Sequence, residues 1–186
     1  MASPATTWGT TPAERLERFP CDRHLDRPQG VAFRGIEVDA PPPIVFRRLC
    51  QLRVAPYSYD LLDNLGRRSP RELTPGLDEL EVGQRFMTIF DLVEFEQDSQ
   101  LTLLTRRGAG FFGEVAVTYL VRASGEGSRL LVKLAYRRRG LRPLARLYAA
   151  VLPWGDLVMM RKQLRTLAAL AERDTVSGSA SRSAND

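Results

Sequence analysis

The stretch from residue 83 to residue 139 alternates strand-like runs with very short turns, and this spacing limits the folds open to the chain. Four runs, at 83–96, 101–107, 111–122 and 129–139, are separated by the turns QDSQ, GAG and SGEG. Strands joined by connections this short pair with their neighbours in antiparallel order. The sequence therefore predicts an antiparallel meander.

Alternation within the last two runs predicts which side chains share a face of the sheet. If SGEG forms a four-residue loop, one face carries the mainly apolar pairs Val121–Leu130, Tyr119–Val132, Val117–Leu134 and Val115–Tyr136. The other face carries Thr118 opposite Lys133 and Glu114 opposite Arg137. We expect the apolar face, with its two tyrosines, to point inward.

Predicted helices precede and follow these strands in the sequence. A strand over 30–40 leads through PPP into PIVFRRLCQLR, whose apolar residues recur at helical spacing. After the last strand, LARLYAAVL precedes Pro153, where we expect a helix break. LVMMRKQLRTLAALAE follows, with apolar residues three or four positions apart at Leu157, Met160, Leu164, Leu167 and Ala171. Together these elements predict an α+β fold.

Three stretches resemble segments of the START-like superfamily, also called SRPBCC. They are RGIEVDAPPPIVFRRL at the first strand and helix, GEVAVTYLV with RLLVKL in the last hairpin, and WGDLVMMRKQLRTLAALAE in the final helix. The order of elements over residues 30–174 is similar as well. The resemblance implies a helix-grip fold, in which a curved antiparallel sheet wraps around a long C-terminal helix and leaves an internal cavity.

This superfamily includes lipid and hormone binders, polyketide cyclases and oxygenase domains, and a shared fold does not determine a chemistry. We expect binding of a mainly apolar small molecule, lipid-like or polyketide-like, in an enclosed cavity. The alternative is a cyclase or dehydratase enzyme that acts on an aromatic polyketide-like substrate, with an inner tyrosine or Asp91 as acid or base. A partner-binding regulatory module is a third class.

Both ends of the chain are poor in large apolar residues. Residues 1–12 and 175–186 are rich in Ser, Thr and Ala, and such segments bury too little apolar surface to offset the entropy of ordering them. We predict a flexible N-terminus at 1–12, one START-like ligand-binding domain at 13–174, and a disordered tail at 175–186.

The connection APYSYDLLDNLGRRSPREL, residues 55–73, holds the densest set of directional polar groups in the chain. Ser58 can cap a short helix from Tyr59 to Leu65. The resemblance implies that small helices after the first strand lie at the cavity mouth. The predicted rim contacts to a ligand are Tyr57, Tyr59, Asp60, Asn64 and Arg67, with Arg68 beside them. A structural helix pair between Asp63 and Arg67 is the alternative reading.

Tyr119, Tyr136 and Met160 complete the predicted ligand-binding set. Each tyrosine offers an apolar body and one hydroxyl that needs a partner, and methionine adapts to irregular surfaces. Met159 is a neighbouring candidate. Ordinary core packing is the alternative for these residues.

The remaining residues with reactive side chains are weighed as structural or functional groups from their positions in the predicted strands and loops. The turn QDSQ places Asp91 opposite Arg106, as either an internal functional pair or an external ion pair. Glu114 is expected on the outer face. Cys21 and His24 lie close in sequence, but nothing positions them as a catalytic pair, so we expect a surface loop.

The basic character of the chain does not indicate nucleic-acid binding. The 27 basic residues against 22 acidic ones give a net charge of +5, but 25 of the 27 are arginines spread over the whole chain. The run RRRGLR at 137–142 is dense, yet no nucleic-acid-binding motif accompanies it. We expect a small hydrophobic molecule, and no nucleic acid, as the partner.

The sequence also bears on metal and cofactor binding and on the location of the protein in the cell. One histidine and two separated cysteines do not make a closed first shell for a metal, so we predict no metal and no cofactor. MASPATTWGT lacks the features of an export signal, and no apolar run approaches the ~18 residues of a membrane span. We therefore expect a cytoplasmic location, with the oligomeric state open.

Overall fold

The computed structural model of the chain describes residues 3–58, 68–106, 113–137 and 142–183, without the side chains of 142–153 and 179–183. Six strands are present in these residues: β1 (Gly30–Val38), β2 (Arg85–Phe86), β3 (Phe90–Glu96), β4 (Gln100–Thr105), β5 (Glu114–Ser124) and β6 (Gly127–Arg137). The helices there are α1 (Pro4–Thr7), α2 (Pro12–Leu16), α3 (Pro42–Cys50) and α4 (Arg142–Ser183), with 3-10 turns at Pro20–Arg23 and Gln51–Arg53.

The strands form one antiparallel sheet in the order β1-β6-β5-β4-β3-β2. The first strand closes the meander by pairing with the last, so that Arg34 lies beside Val132. All the cross-strand pairs expected between β5 and β6 are present, including Tyr119 with Val132 and Glu114 with Arg137. The predicted register and the α+β class are confirmed.

The inner face of the sheet packs against α3 and α4. Leu103, Val117 and Leu130 are almost completely buried there, together with Leu164 and Leu167 of α4. Burying one such side chain contributes about 1.5–3 kcal/mol to folding. The three- and four-residue spacing on α4 therefore marks the helix face that packs on the sheet, as predicted.

The outer face of the sheet is covered by residues 19–25. Phe19, Cys21 and Leu25 pack on a second apolar cluster that includes Phe33 and Leu131. The Cys21 amide donates a hydrogen bond of 2.9 Å to the Thr118 hydroxyl of β5. Both faces of the sheet are thus occupied by other parts of the chain.

The predicted strand at 83–96 is divided into two. Met87 and Thr88 have φ angles of 44° and 67°, and they turn the chain so that Phe86 pairs with Phe90. The Met87 amide donates to the Leu52 carbonyl at 2.9 Å, which holds this turn against the 3-10 turn that follows α3. Residues other than glycine are uncommon at positive φ, so the residue pattern did not reveal the turn.

The expected helix break at Pro153 is wrong. The α4 helix continues from Arg142 to Ser183 through that proline. A proline removes one backbone donor and bends a helix without necessarily ending it. Packing of Leu157, Leu164 and Leu167 on the sheet stabilises the helix on the C-terminal side of Pro153.

Residues 5–9 pack on the sheet, within the segment 1–12 for which the sequence predicted flexibility. Ala5 is 2% exposed, and the Gly35 amide donates a hydrogen bond of 3.0 Å to the Trp8 carbonyl. A Cβ atom on Gly9 would lie 2.0 Å from the Gly35 oxygen, so glycine permits this approach. Composition missed the segment because two residues, Ala5 and Trp8, carry most of its packing. The domain bounds of 13–174 stay a prediction.

Candidate functional site

An arginine lies on the inner face of the sheet, beneath α4. Alternation along β1 turns Ala32, Arg34 and Val38 inward, and the Arg34 side chain is completely buried. Its Nη2 atom donates a hydrogen bond of 2.7 Å to Oδ2 of Asp156 on α4. A buried charge is costly unless it is paired, so the two residues depend on each other.

The guanidinium of Arg34 keeps donor capacity beyond this pair. Nη1 donates to the Phe33 carbonyl at 2.9 Å, while Nε is buried and has no acceptor among the described residues. Burial lowers the pKa of Arg34, and the charge of Asp156 opposes that effect. Burial also raises the pKa of Asp156, against the influence of Arg34. The pair is thus a strongly polar group in a mostly apolar interface.

A second set of polar groups, joined by hydrogen bonds, links β5, α4 and the loop that follows α3. The Tyr119 hydroxyl donates to Oε1 of Gln163 at 2.7 Å, and Nε2 of Gln163 donates to the Pro56 carbonyl at 2.6 Å. Met160 approaches the same hydroxyl, with its sulfur at 4.0 Å. Burial, and then the negative charge of Asp156, raise the pKa of Tyr119, so its hydroxyl stays protonated.

Packing loosens toward one end of the inner face. Val117 and Val132 are fully buried, but Val115, Leu134 and Tyr136 are only partly buried, and the Asp156 side chain is 25% exposed. We call the last four residues the open end of the inner face. Burial and the charge of Asp156 both raise the pKa of Tyr136. The predicted residues Tyr119, Tyr136 and Met160 therefore share the inner face with the Arg34–Asp156 pair.

The predicted rim is only partly described. Four of its residues lie outside the described part of the chain: Tyr59, Asp60, Asn64 and Arg67. The neighbouring Arg68 is described and is exposed. Tyr57 is 1% exposed and belongs to the core, not to a solvent-facing rim. Its φ angle of 54° lies in the left-handed region, a conformation that the residue pattern does not reveal.

The two ion pairs weighed from the sequence are external. Arg106 Nε lies 3.1 Å from Oδ1 of Asp91, and both side chains are more than a third exposed. Asp91 pairs with Leu104 and not with Arg106. The turn is one residue shorter than expected, because Glu96 pairs with Gln100, and the β3–β4 register shifts by one more residue between Leu92 and Glu94. Glu114 accepts two hydrogen bonds from Arg137, at 2.8 and 2.5 Å, as expected for the outer face.

The cysteine and histidine near the N-terminus do not form a catalytic pair. Cys21 is buried and donates weakly to the Lys133 carbonyl, whereas the His24 ring contacts Glu94 at 3.0 Å. Burial raises the pKa of Cys21, and it raises that of Cys50 to about 12. Thiols of this kind are poor nucleophiles at neutral pH.

Across the described parts of the chain, no three His, Cys, Asp or Glu side chains converge as a metal site. None of the helices described there has the length and apolarity needed to cross a membrane.

Solved structures from two bacteria are similar to this chain. The crystal structure of protein CV1439 from Chromobacterium violaceum has a TM-score of 0.50 at 15% identity, over 76% of this chain and 96% of that one. A solution NMR structure from Arthrobacter aurescens has a TM-score of 0.50 at 11% identity, over 77% and 86%. No protein-family model and no curated protein matches the chain. The chain has the helix-grip fold.

The helix-grip fold confirms, at the level of architecture, what the START-like resemblance implied. Sequence analysis nevertheless missed the Arg34–Asp156 pair, although two signals were present. Arg34 occupies an inward position of an alternating strand, and Asp156 lies one helical turn before Met160 on the packed face of α4. A charged residue at each position was the available sign that the helix-grip interior is not purely apolar.

Proposed function

We propose that this protein binds a mainly apolar small molecule between the inner face of the sheet and α4, with the Arg34–Asp156 pair as its polar anchor. The observation that carries the proposal is Nε of Arg34, a buried donor without an acceptor in the described part of the chain. A buried polar atom in this state favours a ligand that supplies the missing acceptor.

The surroundings of the anchor define the ligand class. Val115, Leu134 and the ring of Tyr136 offer apolar surface at the open end of the inner face. Small-molecule sites combine such apolar walls with few polar groups that fix orientation. The ligand is therefore a largely apolar molecule, lipid-like or polyketide-like, with a carbonyl or similar acceptor directed at Arg34.

The alternative is a cyclase or dehydratase that acts on an aromatic polyketide-like substrate. One observation favours it: Asp156 is partly exposed beside the inner face, and burial raises the pKa of its carboxyl. A carboxyl with a raised pKa can act as a general acid or base near neutral pH. Tyr119 is less suited to this role, because its hydroxyl is buried and bonded to Gln163.

Binding is tested with Nile red, a neutral and largely apolar dye that carries a carbonyl acceptor. The double variant Arg34→Met with Asp156→Leu removes the anchor while keeping side-chain volume. The matched control is Arg47→Met with Asp78→Leu, which removes an exposed ion pair of 3.6 Å. We expect saturable binding that weakens about tenfold in the first variant, the loss of roughly one hydrogen bond to a charged group, and little change in the control.

Two results would count against binding at this site. One is a fluorescence change that does not saturate, and the other is equal affinity in the wild type and the anchor variant. Asp156→Asn separates the enzyme alternative from simple binding. If a ligand that copurifies with the protein is chemically altered by the wild type and unchanged by Asp156→Asn, in mass spectrometry of incubated samples, the protein is an enzyme.

A further inference from the structure

We propose that a groove on the solvent side of α4 binds a phosphate monoester, separately from the apolar interior. The groove has a volume of about 460 Å³ and lies between α4 and two short stretches, 57–58 and 69–71. Its polar lining comes mainly from Ser58, Arg71, Lys162, Arg165 and Arg173. We call this feature the basic groove.

The basic groove lies on the opposite side of α4 from the sheet. Lys162, Thr166 and Arg173 follow one another at helical spacing along the groove, while Leu164 and Leu167 face the core. A ligand in the groove would therefore not touch Arg34 or Asp156. An experiment can therefore contradict one of the two proposed binding sites without affecting the other.

The charges in the groove are incompletely neutralised. Among the described residues, no carboxylate lines the groove, and Arg173 is the one lining cation with close acidic neighbours, Glu72 at 3.1 Å and Asp174 at 3.7 Å. Within the described residues, no carboxylate lies within 4.0 Å of the basic groups of Arg71 and Lys162.

Asp174, which lies beside Arg173, is already engaged by another cation. Both oxygens of Asp174 accept hydrogen bonds of 2.6 Å from the buried guanidinium of Arg48. Arg165 contacts the face of the Trp8 ring, with its guanidinium carbon 6.0 Å from the ring centre. That contact holds the Arg165 charge near the groove without cancelling it.

A neutral donor completes the groove. The Ser58 hydroxyl is buried, lines the groove, and has no hydrogen-bond partner in the residues that the structure describes. A phosphate monoester carries nearly two negative charges at neutral pH and three acceptor oxygens. Several cations with one hydroxyl donor match that group better than they match a carboxylate, and Leu170 and Pro70 provide apolar contact for an attached organic group.

The test uses inorganic phosphate as the probe, titrated calorimetrically at low ionic strength. The groove variant is Arg71→Ala with Lys162→Ala, and the control is Arg18→Ala with Arg85→Ala, which removes the same charge from two exposed arginines elsewhere. We expect about tenfold weaker binding in the groove variant and less than about a twofold change in the control. A parallel Ser58→Ala variant should also weaken binding.

Equal losses in the groove variant and the control would overturn the proposal, because net charge alone would then explain the binding. Absence of phosphate binding by the wild type would overturn it as well, unless lipid phosphate binds. Vesicles of phosphatidylcholine with phosphatidic acid, compared with pure phosphatidylcholine, provide that arm. Cosedimentation that depends on phosphatidic acid and is lost in the groove variant assigns the site to a lipid headgroup. Nile red binding should be unchanged in the groove variant, whichever arm responds.

Discussion

Arg34 on β1 and Asp156 on α4 are joined by a hydrogen bond of 2.7 Å between residues 122 positions apart in the chain. The bond crosses the interface between the sheet and the long helix, where most other side chains are apolar. It places a charge pair inside a fold whose interior is otherwise suited to apolar molecules. The stability and the proposed function of the protein both depend on how this pair is satisfied.

The first prediction separates the pair from its single members. Arg34→Ala leaves Asp156 without its partner and should lower the free energy of unfolding by ~3 kcal/mol, since an uncompensated charge remains near the core. Replacing the whole pair, with Arg34→Met and Asp156→Leu, should cost less than ~1 kcal/mol. Chemical denaturation monitored by circular dichroism gives both values. Equal costs would show that the two residues do not act as a pair.

The second prediction concerns the two inner tyrosines. Tyr119→Phe removes a donor from Oε1 of Gln163 in a buried position and should cost ~1–3 kcal/mol. Tyr136→Phe changes a partly buried hydroxyl and should stay within ~0.5 kcal/mol. The denaturation midpoints of the two variants measure these costs. A larger loss of stability in Tyr136→Phe than in Tyr119→Phe would contradict the hydrogen bond between Tyr119 and Gln163.

Residues 5–9 lie against the sheet through a close approach of two glycines, and a third prediction tests this packing. Gly9 and Gly76 have similar φ angles of 71° and 75°, but a Cβ on Gly76 would have no neighbour within 4 Å. Gly76→Ala should therefore cost ~1 kcal/mol for backbone strain alone. Gly9→Ala adds a clash with the Gly35 carbonyl and should release the segment. Limited proteolysis that cleaves both variants equally near the N-terminus would be inconsistent with this packing.

The fourth prediction is a pH dependence that arises from Glu14 of α2. The Arg129 guanidinium, bonded to Glu14 at 2.8 Å, lowers the pKa of that carboxyl from its ordinary 4.5 to about 2. A carboxyl whose pKa is lowered by folding stabilises the protein above its unfolded pKa. This contribution should be lost as the pH falls from about 4.5 to about 2. Because the pair lies near the surface, where solvent screens it, we expect a contribution of ~1 kcal/mol at neutral pH.

Glu14→Gln is the variant that checks the fourth prediction. It should reduce the free energy of unfolding at neutral pH and flatten its acid dependence over that window. Glu17→Gln, which removes a more exposed pair with Arg122, is the control and should have a smaller effect. If Glu14→Gln retains the full acid dependence of the wild type, the Glu14–Arg129 pair is not its source.

The hairpin of β5 and β6 shows what the sequence could predict. Its turn and its alternation are local, and together they placed Tyr119 and Glu114 on the correct faces. Features that depend on contacts distant in sequence were missed. The Arg34–Asp156 pair and the contact between Gly9 and Gly35 connect residues whose partners no local pattern identifies. The turn at Met87 also escaped, because positive φ there is supported by the Leu52 carbonyl and not by a glycine.

If the proposed function is correct, an apolar ligand lies at the open end of the inner face, beside Arg34. Intermolecular nuclear Overhauser effects between bound Nile red and the protein would locate the ligand. We expect contacts from the dye to the methyl groups of Leu134 and Val115 and to the ring of Tyr136. Contacts confined to the exposed side chains of Trp154 and Val158, on the surface of α4, would contradict it.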